Sequence, residues 1–556
     1  MPPSDSQLIE QIIAIAKSIT AFRTLFPGVI SPRTWLATGL FLGGLALLLA
    51  VTLVAVRWWT RRQPRRSGDA VQTVARNASI PFAIQLMTRA IDLGFAFLLY
   101  RFVVAGAVGA YEFAGLLVVQ YLGTLADWGL TVLATREIAR DHASAPLYFR
   151  TTLRLRLRFA LLCLPAAALF VGGYNGLAVA GLITERLDQR TITLIAILVL
   201  TLFPAALSAA TTALFQATER LEVPAVINLL TNIVSAVARV GALALGFGVV
   251  GVAGGALFGA LVGAALFGLA LRRGFGDLTL RGPVLPARPL LREGWPLLLN
   301  SLLIGVFFRF DAFIIMAFHG EATLAIYNVA YKFINLTQII PPVVINAVFP
   351  LLSRRAASDR AGMSRAFAGT LRLLIMLALP LAVGFTALAT PLAQAMADKP
   401  EYLPGSAYAL AITIWYLPFS FINGLTQYVV IALGRQRVIT LAFGLTALFN
   451  VALNLLLVPR YSFIAAGAIT VASELVLFLP LRRVLRQEGI NTALPTLFWR
   501  PALAALAMGG AVWAAHQIHV VAAVAVAAPV YAGMLWLLGG FGEAERDLFR
   551  RALRRG

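Results

Sequence analysis

Charged side chains inside long apolar runs are the residues of this sequence that could do chemistry. Arg89 and Asp92 stand three positions apart in one run, and Arg309 and Asp311 lie at a comparable depth in another. A charge at the centre of a membrane helix costs roughly 2.5–3.5 kcal/mol, so each such residue is a candidate for a functional site. Because cations outnumber acids in this set, the sequence predicts a cavity for an anion such as phosphate or pyrophosphate. The remaining cations of the set are Arg239 and Lys332.

The pairing of Arg89 with Asp92 has a second interpretation. Residues three positions apart lie on one face of a helix, so the two charges could neutralise each other and only lock neighbouring helices together. Arg309 and Asp311 are two positions apart, and this spacing points them to different sides of their helix. Both interpretations of the first pair stay open at this point.

Signatures of catalysis, metal binding and ATP hydrolysis are absent from the sequence. There is no Walker A motif, no Ser/His/Asp arrangement and no set of zinc ligands. His516 and His519 have the spacing of metal ligands, but no acidic or cysteine residue accompanies them, and an exposed turn is the better prediction. We therefore predict a protein that is not an enzyme and has no catalytic residue, resident metal or cofactor.

The elements that must position these side chains are membrane-spanning helices. Hydrophobic residues make up 60% of the chain, yet the net charge is +22. Neither a soluble protein nor a nucleic-acid-binding protein would carry that charge between apolar runs of about 20 residues, each long enough to cross a bilayer as a helix. The sequence predicts an all-α polytopic membrane protein. Its helices, about fifteen in number, are Trp35–Val56, Pro81–Val104, Tyr111–Leu133, Phe159–Val179, Thr191–Ala213, Val223–Gly246, Gly251–Leu271, Pro296–Phe318, Leu324–Leu351, Thr370–Pro391, Ser406–Leu433, Val438–Val458, Phe463–Leu481, Pro501–His516 and Val520–Gly540.

Basic residues set the predicted orientation of these helices. Most of the 46 lysine and arginine residues fall in alternate gaps between the apolar runs, including a group from Arg136 to Arg158. Because cytoplasmic loops carry the excess of Lys and Arg, the N-terminus is predicted outside and the C-terminus in the cytoplasm. The first 30 residues lack the basic start of a signal peptide and are predicted to form an interfacial amphipathic helix. The opposite gaps hold only Arg186, Arg190, Lys399 and Arg460.

Two halves of the chain carry similar patterns from residue 77 onward. Arg89 and Asp92 in the first half correspond to Arg309 and Asp311 in the second. Six helices in each half predict two pseudo-symmetric lobes around a central cavity. The predicted domains are an N-terminal segment with an amphipathic stretch, one extra transmembrane helix and a basic linker (1–76), the first lobe (77–271), a cytoplasmic inter-lobe loop (272–294), the second lobe (295–486), and two C-terminal helices with a basic cytoplasmic tail (487–556).

Glycines recur at intervals of four residues in the last apolar run of the first lobe. They are Gly251, Gly255, Gly259 and Gly263. Small residues at this spacing let membrane helices approach closely, so the run is predicted to pack tightly against a neighbouring helix of the same lobe.

Short motifs follow one another in a fixed order over about residues 77–486. In the first half they are Asn77, Arg89, Asp92, Tyr100-Arg101, Gly109-Ala-Tyr111-Glu-Phe, Leu125-Ala-Asp127-Trp-Gly129-Leu and Arg136-Glu-Ile-Ala-Arg140. In the second they are Arg309-Phe-Asp311, Tyr327-Asn-Val-Ala-Tyr-Lys332, Ala347-Val-Phe-Pro350, Phe449-Asn450-Val-Ala-Leu-Asn454 and Ala466-Gly-Ala-Ile-Thr470. This ordered set resembles the polysaccharide-transporter family, which contains the O-antigen flippases and shares a superfamily with the MATE drug exporters and the lipid II flippase. Residues 1–70 have no counterpart in that family, and its glycine-rich turn after Tyr461 reads Ser462-Phe-Ile-Ala-Ala here.

The resemblance implies a fold and an activity. The fold is MATE-like, with two six-helix lobes forming a V and two further C-terminal helices, to which this chain adds one N-terminal helix. The activity is that of a flippase in the cytoplasmic (inner) membrane of a bacterium or archaeon. By alternating access it would move a polyprenyl-pyrophosphate-linked oligosaccharide to the outer leaflet, for export of cell-surface polysaccharide. The implied partners are this substrate, membrane lipids and glycan polymerase or export machinery, and no nucleic acid.

The resemblance also gives roles to the candidate residues. Arg89, Arg309 and Lys332 would hold the pyrophosphate, while Asn300 and Asn335 would meet sugar hydroxyls. Without ATP, flipping would draw on Na⁺ or H⁺ coupling or on the membrane potential, which favours outward movement of an anion by about 2.3 kcal/mol per charge per 100 mV. The other members of the predicted site are Asp92, Arg239 and Asp311.

Three other functions are alternatives. A MATE-type ion-coupled exporter of small organic compounds shares the fold but should concentrate unpaired acids in its lobes, whereas cations match or outnumber the acids here. A membrane glycan polymerase or ligase needs a large outer loop for its catalytic residues, and the outer gaps of this sequence are short. A purely structural scaffold is the third alternative.

Overall fold

The fold is built from helices throughout the part of the chain that the structure describes. This computed structural model describes Gly43 and residues 70–276, 282–490 and 493–540, and all regular elements in these ranges are helical. Within them, 11 helical stretches are long and apolar enough to cross a membrane. The prediction of an all-α polytopic membrane protein is therefore confirmed. The predicted amphipathic segment, the helix Trp35–Val56 (apart from Gly43) and the basic C-terminal tail lie outside the described residues.

The first compact unit of the chain is Met1–Leu302. Helices α8 (Glu222–Ala244) and α9 (Gly248–Phe275) pack on each other, with α1 (Ala70–Phe102) against α8 and α7 (Leu202–Ala217) against α9. Buried apolar clusters lie between α1 and α8 and where α7 meets α4 (Leu130–Arg140) and α5 (Ala145–Val179). Short helices in this unit come from local breaks, such as the left-handed residues Trp128 and Gly129 between α3 and α4. Its helices are α1 (Ala70–Phe102), α2 (Ala105–Gly115), a π-helical turn (Leu116–Leu122), α3 (Gly123–Asp127), α4 (Leu130–Arg140), a 3-10 turn (His142–Ser144), α5 (Ala145–Val179), α6 (Gln189–Val199), α7 (Leu202–Ala217), α8 (Glu222–Ala244) and α9 (Gly248–Phe275).

The second compact unit is Leu303–Gly556. Here α12 packs against α11, α15 and α17, and α17 packs against α18. Its helices are the greater part of α10 (Ala287–Thr337), which begins in the first unit, then α11 (Ile340–Ser358), α12 (Arg360–Ala387), α13 (Ala389–Met396), α14 (Gly405–Thr413), α15 (Tyr416–Ala432), α16 (Gln436–Gln487), α17 (Leu494–His516) and α18 (Val520–Leu537). The predicted domain limits at 271/272 and 294/295 stay predictions.

The two longest helices, α10 and α16, are each folded back into a hairpin. In α10 the backbone leaves the helical region at Gly320 (φ 77°, ψ −177°), and in α16 it does so at Ser462 (φ 55°, ψ −145°). Asp311 and Tyr327 would lie about 24 Å apart along a straight helix, yet their side chains are hydrogen-bonded. The apolar stretches Ala287–Ala356 and Gln436–Gln487 each cover two predicted spans, which accounts for two of the four spans by which the fifteen predicted helices exceed the 11 stretches. The first predicted span is not described, and α1 contains the second span but is not among the 11 stretches.

The glycines of α9 allow it to lie directly on α8. A Cβ atom added to Gly255 would come within 2.8 Å of the backbone nitrogen of Arg239, and one added to Gly263 would come within 2.8 Å of the side chain of Thr231. A Cβ atom added to Gly259 would likewise collide with Ser235. The predicted close packing of this run inside the first unit is confirmed, and it fixes the height of α8 relative to α9.

Candidate functional site

The first candidate site lies between α1 and α8 and contains Asp92, Phe95, Asn232 and Arg239. Asn232 Nδ2 donates a hydrogen bond to Asp92 Oδ1 at 3.2 Å. The guanidinium of Arg239 stacks over the Phe95 ring at 4.3 Å from the ring centre. Its Nε also donates to the backbone carbonyl of Ser235, one turn earlier on the same helix, at 3.2 Å. We call these four residues, together with Arg89 on α1, the first cluster.

The described structure does not contain the Arg89–Asp92 ion pair on which the self-neutralising interpretation depends. Within the described ranges, Arg89 forms no ion pair, although Asp92 is only one turn away. The Arg89 side chain is exposed and Asp92 is half-buried, because Asp92 turns toward Asn232 on α8. Asp92 therefore links two helices, and it does not cancel the charge of its neighbour along the chain.

Arg239 is held in the first cluster by the packing beneath it. Its backbone rests on Gly255 of α9, where a side chain would collide with it. The buried hydroxyl of Tyr111 on α2 lies close enough to interact with both Arg239 and Asp92. The sequence places Tyr111 in a motif but predicts no role for it, because the spacing of residues along the chain does not reveal that α2 lies near α8.

The second candidate site lies inside the α10 hairpin and contains Arg309, Asp311, Tyr327, Asn328 and Tyr331. Asp311 is 2% exposed and accepts hydrogen bonds from the Tyr327 hydroxyl and from the backbone nitrogen of Ala312. The Tyr331 hydroxyl lies 3.5 Å from the same carboxylate. We call these five residues the second cluster. The buried aspartate thus accepts from a backbone nitrogen of its own limb and from a tyrosine hydroxyl of the second limb.

Arg309 faces the same second limb of α10. Its Nη2 donates to Asn328 Oδ1 at 2.8 Å, and its guanidinium stacks over the Tyr331 ring at 4.4 Å. Arg309 and Asp311 were predicted to point to different sides of their helix because of their i, i+2 spacing. The hairpin nevertheless brings both of them to Tyr331, since its second limb covers both sides.

The remaining predicted site residues are Lys332, Asn335 and Asn300, and none of them is fully buried. Lys332 follows Tyr331 directly and is half-buried. Asn335 is exposed on the same limb of α10, and Asn300 is half-buried on the first limb, within the first unit. The described contacts join Arg309 with Asp311 through Tyr331, and they join Asp92 and Arg239 to the opposite helix of the first cluster through Asn232 and Phe95.

A buried amide and carboxyl network in the second unit was not predicted as a site. Asn423 Nδ2 donates to Glu474 Oε2 at 2.6 Å, and Glu474 is 1% exposed. Across the α16 hairpin, Asn450 Nδ2 donates to Ser473 Oγ at 3.0 Å, and Asn454 Nδ2 donates to Asn450 Oδ1 at 2.8 Å. The sequence did contain a signal for Glu474, which is an acid within an apolar run.

Arg156 was grouped with the cytoplasmic loop arginines, and this placement is wrong. It lies inside α5 and is 2% exposed. Its Nη2 donates to Asp127 Oδ1 at 2.9 Å and to Thr131 Oγ1 at 2.8 Å. The hydropathy pattern missed this residue because α5 begins at Ala145, well before the apolar run, so its first turns are already packed within the unit.

Sequence comparison gives two family matches. Residues 74–356 match a family model described as "Polysaccharide biosynthesis protein". Residues 296–456 match a second model, MatE. A comparison with curated proteins found no match.

Solved structures with similar folds are membrane transporters and a flippase. The inward closed conformation of the lipid II flippase MurJ superposes with a TM-score of 0.68 at 15% identity, over 84% of this chain and 99% of that one. An inward-facing multidrug resistance MATE family transporter of the MOP superfamily gives 0.58 at 16% identity, over 75% and 99%. The eukaryotic MATE transporter AtDTX14 gives 0.53 at 14% identity, over 77% and 97%. The predicted MATE-like fold is therefore confirmed.

Proposed function

Because this chain belongs to the polysaccharide biosynthesis protein family, we propose that it is a flippase for a polyprenyl-pyrophosphate-linked oligosaccharide. It would work by alternating access in the cytoplasmic membrane of a bacterium or archaeon and deliver the glycan to the outer leaflet for export. The fold it shares with the lipid II flippase MurJ supports this choice, since a lipid-linked substrate also has to move between leaflets there. The protein is a multi-pass membrane protein of a transporter and flippase fold, and its chemistry is binding and release, not catalysis.

The observation that carries the proposal is the positive charge of the first cluster. Within the described residues neither Arg89 nor Arg239 forms an ion pair, and the one carboxylate between them, Asp92, is bonded to Asn232. Two guanidinium groups retained inside membrane helices without acidic partners suit a doubly charged ligand such as a pyrophosphate. Stacking of Arg239 on Phe95 holds its planar fork in one orientation while leaving donors for the ligand.

The second cluster supports recognition of the glycan. Arg309, Tyr331 and Asn328 form a polar surface on the α10 hairpin, with Lys332 and Asn335 following along its second limb. Amide, hydroxyl and guanidinium groups are donors and acceptors of the kind that bind sugar hydroxyls and phosphate oxygens. Within the second unit we assign phosphate oxygens to Arg309 and Lys332 and sugar hydroxyls to Asn335, and within the first unit we assign sugar hydroxyls to Asn300.

Substitution of the first-cluster arginines tests the proposal. The full-length protein is reconstituted in liposomes with a synthetic polyprenyl-pyrophosphate disaccharide, and flipping is followed as exposure of the sugar to an impermeant reagent. A hydrogen bond to a charged group contributes about 1.5–3 kcal/mol, so Arg89→Ala with Arg239→Ala should slow flipping by at least about tenfold. Lysine at both positions should restore only part of the rate, because it lacks the bidentate fork.

The matched control is Arg186→Ala with Arg190→Ala, which removes two exposed arginines at the start of α6 in the same unit. This control should flip at the wild-type rate. Flipping by the Arg89, Arg239 double variant at the wild-type rate, with normal insertion, would contradict the pyrophosphate site.

A MATE-type exporter is the second candidate, favoured by the MatE match over residues 296–456 and by the buried acid Glu474. Such a protein would couple efflux of organic compounds to Na⁺ or H⁺. Efflux of a fluorescent organic cation from the same liposomes under an ion gradient, abolished by Glu474→Gln, would favour this candidate. An unchanged dye content together with flipping of the lipid-linked disaccharide would favour the flippase.

A further inference from the structure

A cavity in the second unit carries a further binding site. Its volume is about 400 Å³, and it lies where the first turns of α12, the last turns of α16 and the start of α17 meet. Among the described residues of its lining, the charged groups are two arginines. The lining residues are Phe367, Leu371, Phe478, Arg482, Leu485, Arg486, Ile490, Ala493 and Leu494. Neither candidate cluster contributes to this cavity.

Its two charges stand side by side. Arg482 and Arg486 are four positions apart on α16, so they lie on one face, one turn from each other. Arg482 is half-buried and Arg486 is exposed, which places Arg486 nearer the cavity mouth. Two guanidinium forks one turn apart are suited to a phosphate group, whose oxygens accept several hydrogen bonds at once.

Glu488, the acid that follows these arginines in the sequence, does not pair with them. Glu488 bonds Arg435 and Arg360, each at 3.1 Å, from the turn after α16. Among the described residues, Arg482 and Arg486 form no ion pair. Glu488 is therefore already paired with two other arginines, and the charge of Arg482 and Arg486 is not neutralised by it.

The rest of the lining is apolar and continues into the membrane-spanning helices. Leu371 and Phe367 are buried at the floor, and they belong to α12, one of the helices apolar enough to cross a bilayer. Arg482 follows directly on the apolar part of α16, so the cavity lies at the level where hydrocarbon gives way to headgroups. An apolar floor with two cations at the rim matches a molecule with a phosphate on an apolar chain.

We propose that this cavity binds one anionic phospholipid, with its phosphate on Arg482 and Arg486 and the start of an acyl chain against Leu371 and Phe478. Basic pockets between transmembrane helices bind lipid headgroups in this way. The bound lipid would join α12, α16 and the start of α17, three elements that otherwise leave a void between them. The site is separate from the proposed substrate site and does not depend on it.

Lipid retention measures the site directly. Full-length protein in detergent is mixed with dioleoyl phosphatidylglycerol or with the zwitterionic phosphatidylcholine, and bound lipid is counted by native mass spectrometry. We expect one retained phosphatidylglycerol and no retained phosphatidylcholine. Arg482→Gln with Arg486→Gln should weaken retention by about tenfold. Arg437→Gln with Arg483→Gln removes two exposed arginines from the same helix, outside the cavity lining, and should leave retention unchanged.

A second variant tests the apolar part and covers the case in which the arginine variant fails to fold. Ala493 is exposed at the rim, so Ala493→Trp should fill the cavity without removing charge, and retention should fall as strongly. Equal retention in the wild type and in either cavity variant would overturn the proposal. So would displacement of the lipid by millimolar inorganic phosphate, which would indicate a free-phosphate site. Displacement by a polyprenyl pyrophosphate at equal concentration would indicate a substrate site instead.

Discussion

Asp92 accepts a hydrogen bond from Asn232 on another helix, although Arg89 lies only one turn away on its own helix. The sequence could identify Arg89, Asp92, Arg309 and Asp311 as residues of interest, because a charge in an apolar run is visible without a structure. It could not give their partners. Those partners come from α8 and from the second limb of α10, and neither contact follows from spacing along one helix.

Asp92→Asn tests the first cluster. Asparagine keeps an oxygen that can accept from Asn232, so we expect normal insertion and a thermal midpoint close to that of the wild type. Removing one negative charge beside Arg89 and Arg239 should strengthen binding of an anionic substrate, which the flipping assay would measure as a lower apparent KM. The control is Glu185→Gln, distant in sequence on the loop before α6. A fall in protein level for Asp92→Asn alone would contradict this prediction and favour the pair-locking interpretation.

Tyr327→Phe tests the second cluster. The change removes the hydroxyl that donates to buried Asp311 and leaves the carboxylate with fewer partners. Loss of a partner by a buried polar group costs about 1–3 kcal/mol, so the thermal midpoint in detergent should fall. Tyr461→Phe, at an exposed position, is the matched control and should leave the midpoint unchanged. An equal midpoint for both variants would show that Tyr327 does not stabilise Asp311.

At the scale of elements, the hydropathy of the sequence was sufficient to predict where the helices lie, but it was insufficient to predict how the backbone turns between them. Each predicted span from Pro81 onward lies in a helical part of the chain, but the turn residues differ in kind. Gly320 suits its positive φ, whereas Ser462 adopts a backbone region that strongly favours glycine. A missing glycine weakened the sequence signal for that turn, and tertiary packing of the two limbs of α16 imposes it nonetheless.

The α8–α9 contact gives a prediction at the same scale. Gly259→Val would place a branched side chain against Ser235, and overpacking of this kind costs about 1–3 kcal/mol. Gly254→Val, on the same helix, has no atom within 4 Å of the new Cβ and is the matched control. The thermal midpoint in detergent should fall for the first variant only. Equal midpoints would show that α8 and α9 can separate without cost.

At the scale of the whole molecule, charge in the loops predicts topology. Arginines in alternate gaps predict an outer N-terminus and a cytoplasmic C-terminus. Reporter domains fused after Arg66 and after Gly556 should both report the cytoplasm. An outer signal at either position would change the number of crossings. The burial of Arg156 does not change this topology prediction, because neighbouring arginines such as Arg150 and Arg154 still make this gap basic.

The close contact between the α9 glycines and α8 restricts which helices of the first unit can move relative to each other. Gly255, Gly259 and Gly263 contact α8 on three successive turns, so α8 can neither slide along α9 nor roll over it. Between α1 and α8 the buried side chains of Ile84, Ile91, Leu229 and Ile233 pack together. The polar contacts beside them are the Asn232–Asp92 hydrogen bond and the Arg239–Phe95 stack, which a ligand can replace. A ligand in the first cluster would therefore replace the polar contacts between α1 and α8, while the close packing of α8 on α9 stays unchanged. Amide hydrogen exchange should stay slow over residues 231–263 with or without substrate, while exchange in α1 responds to it.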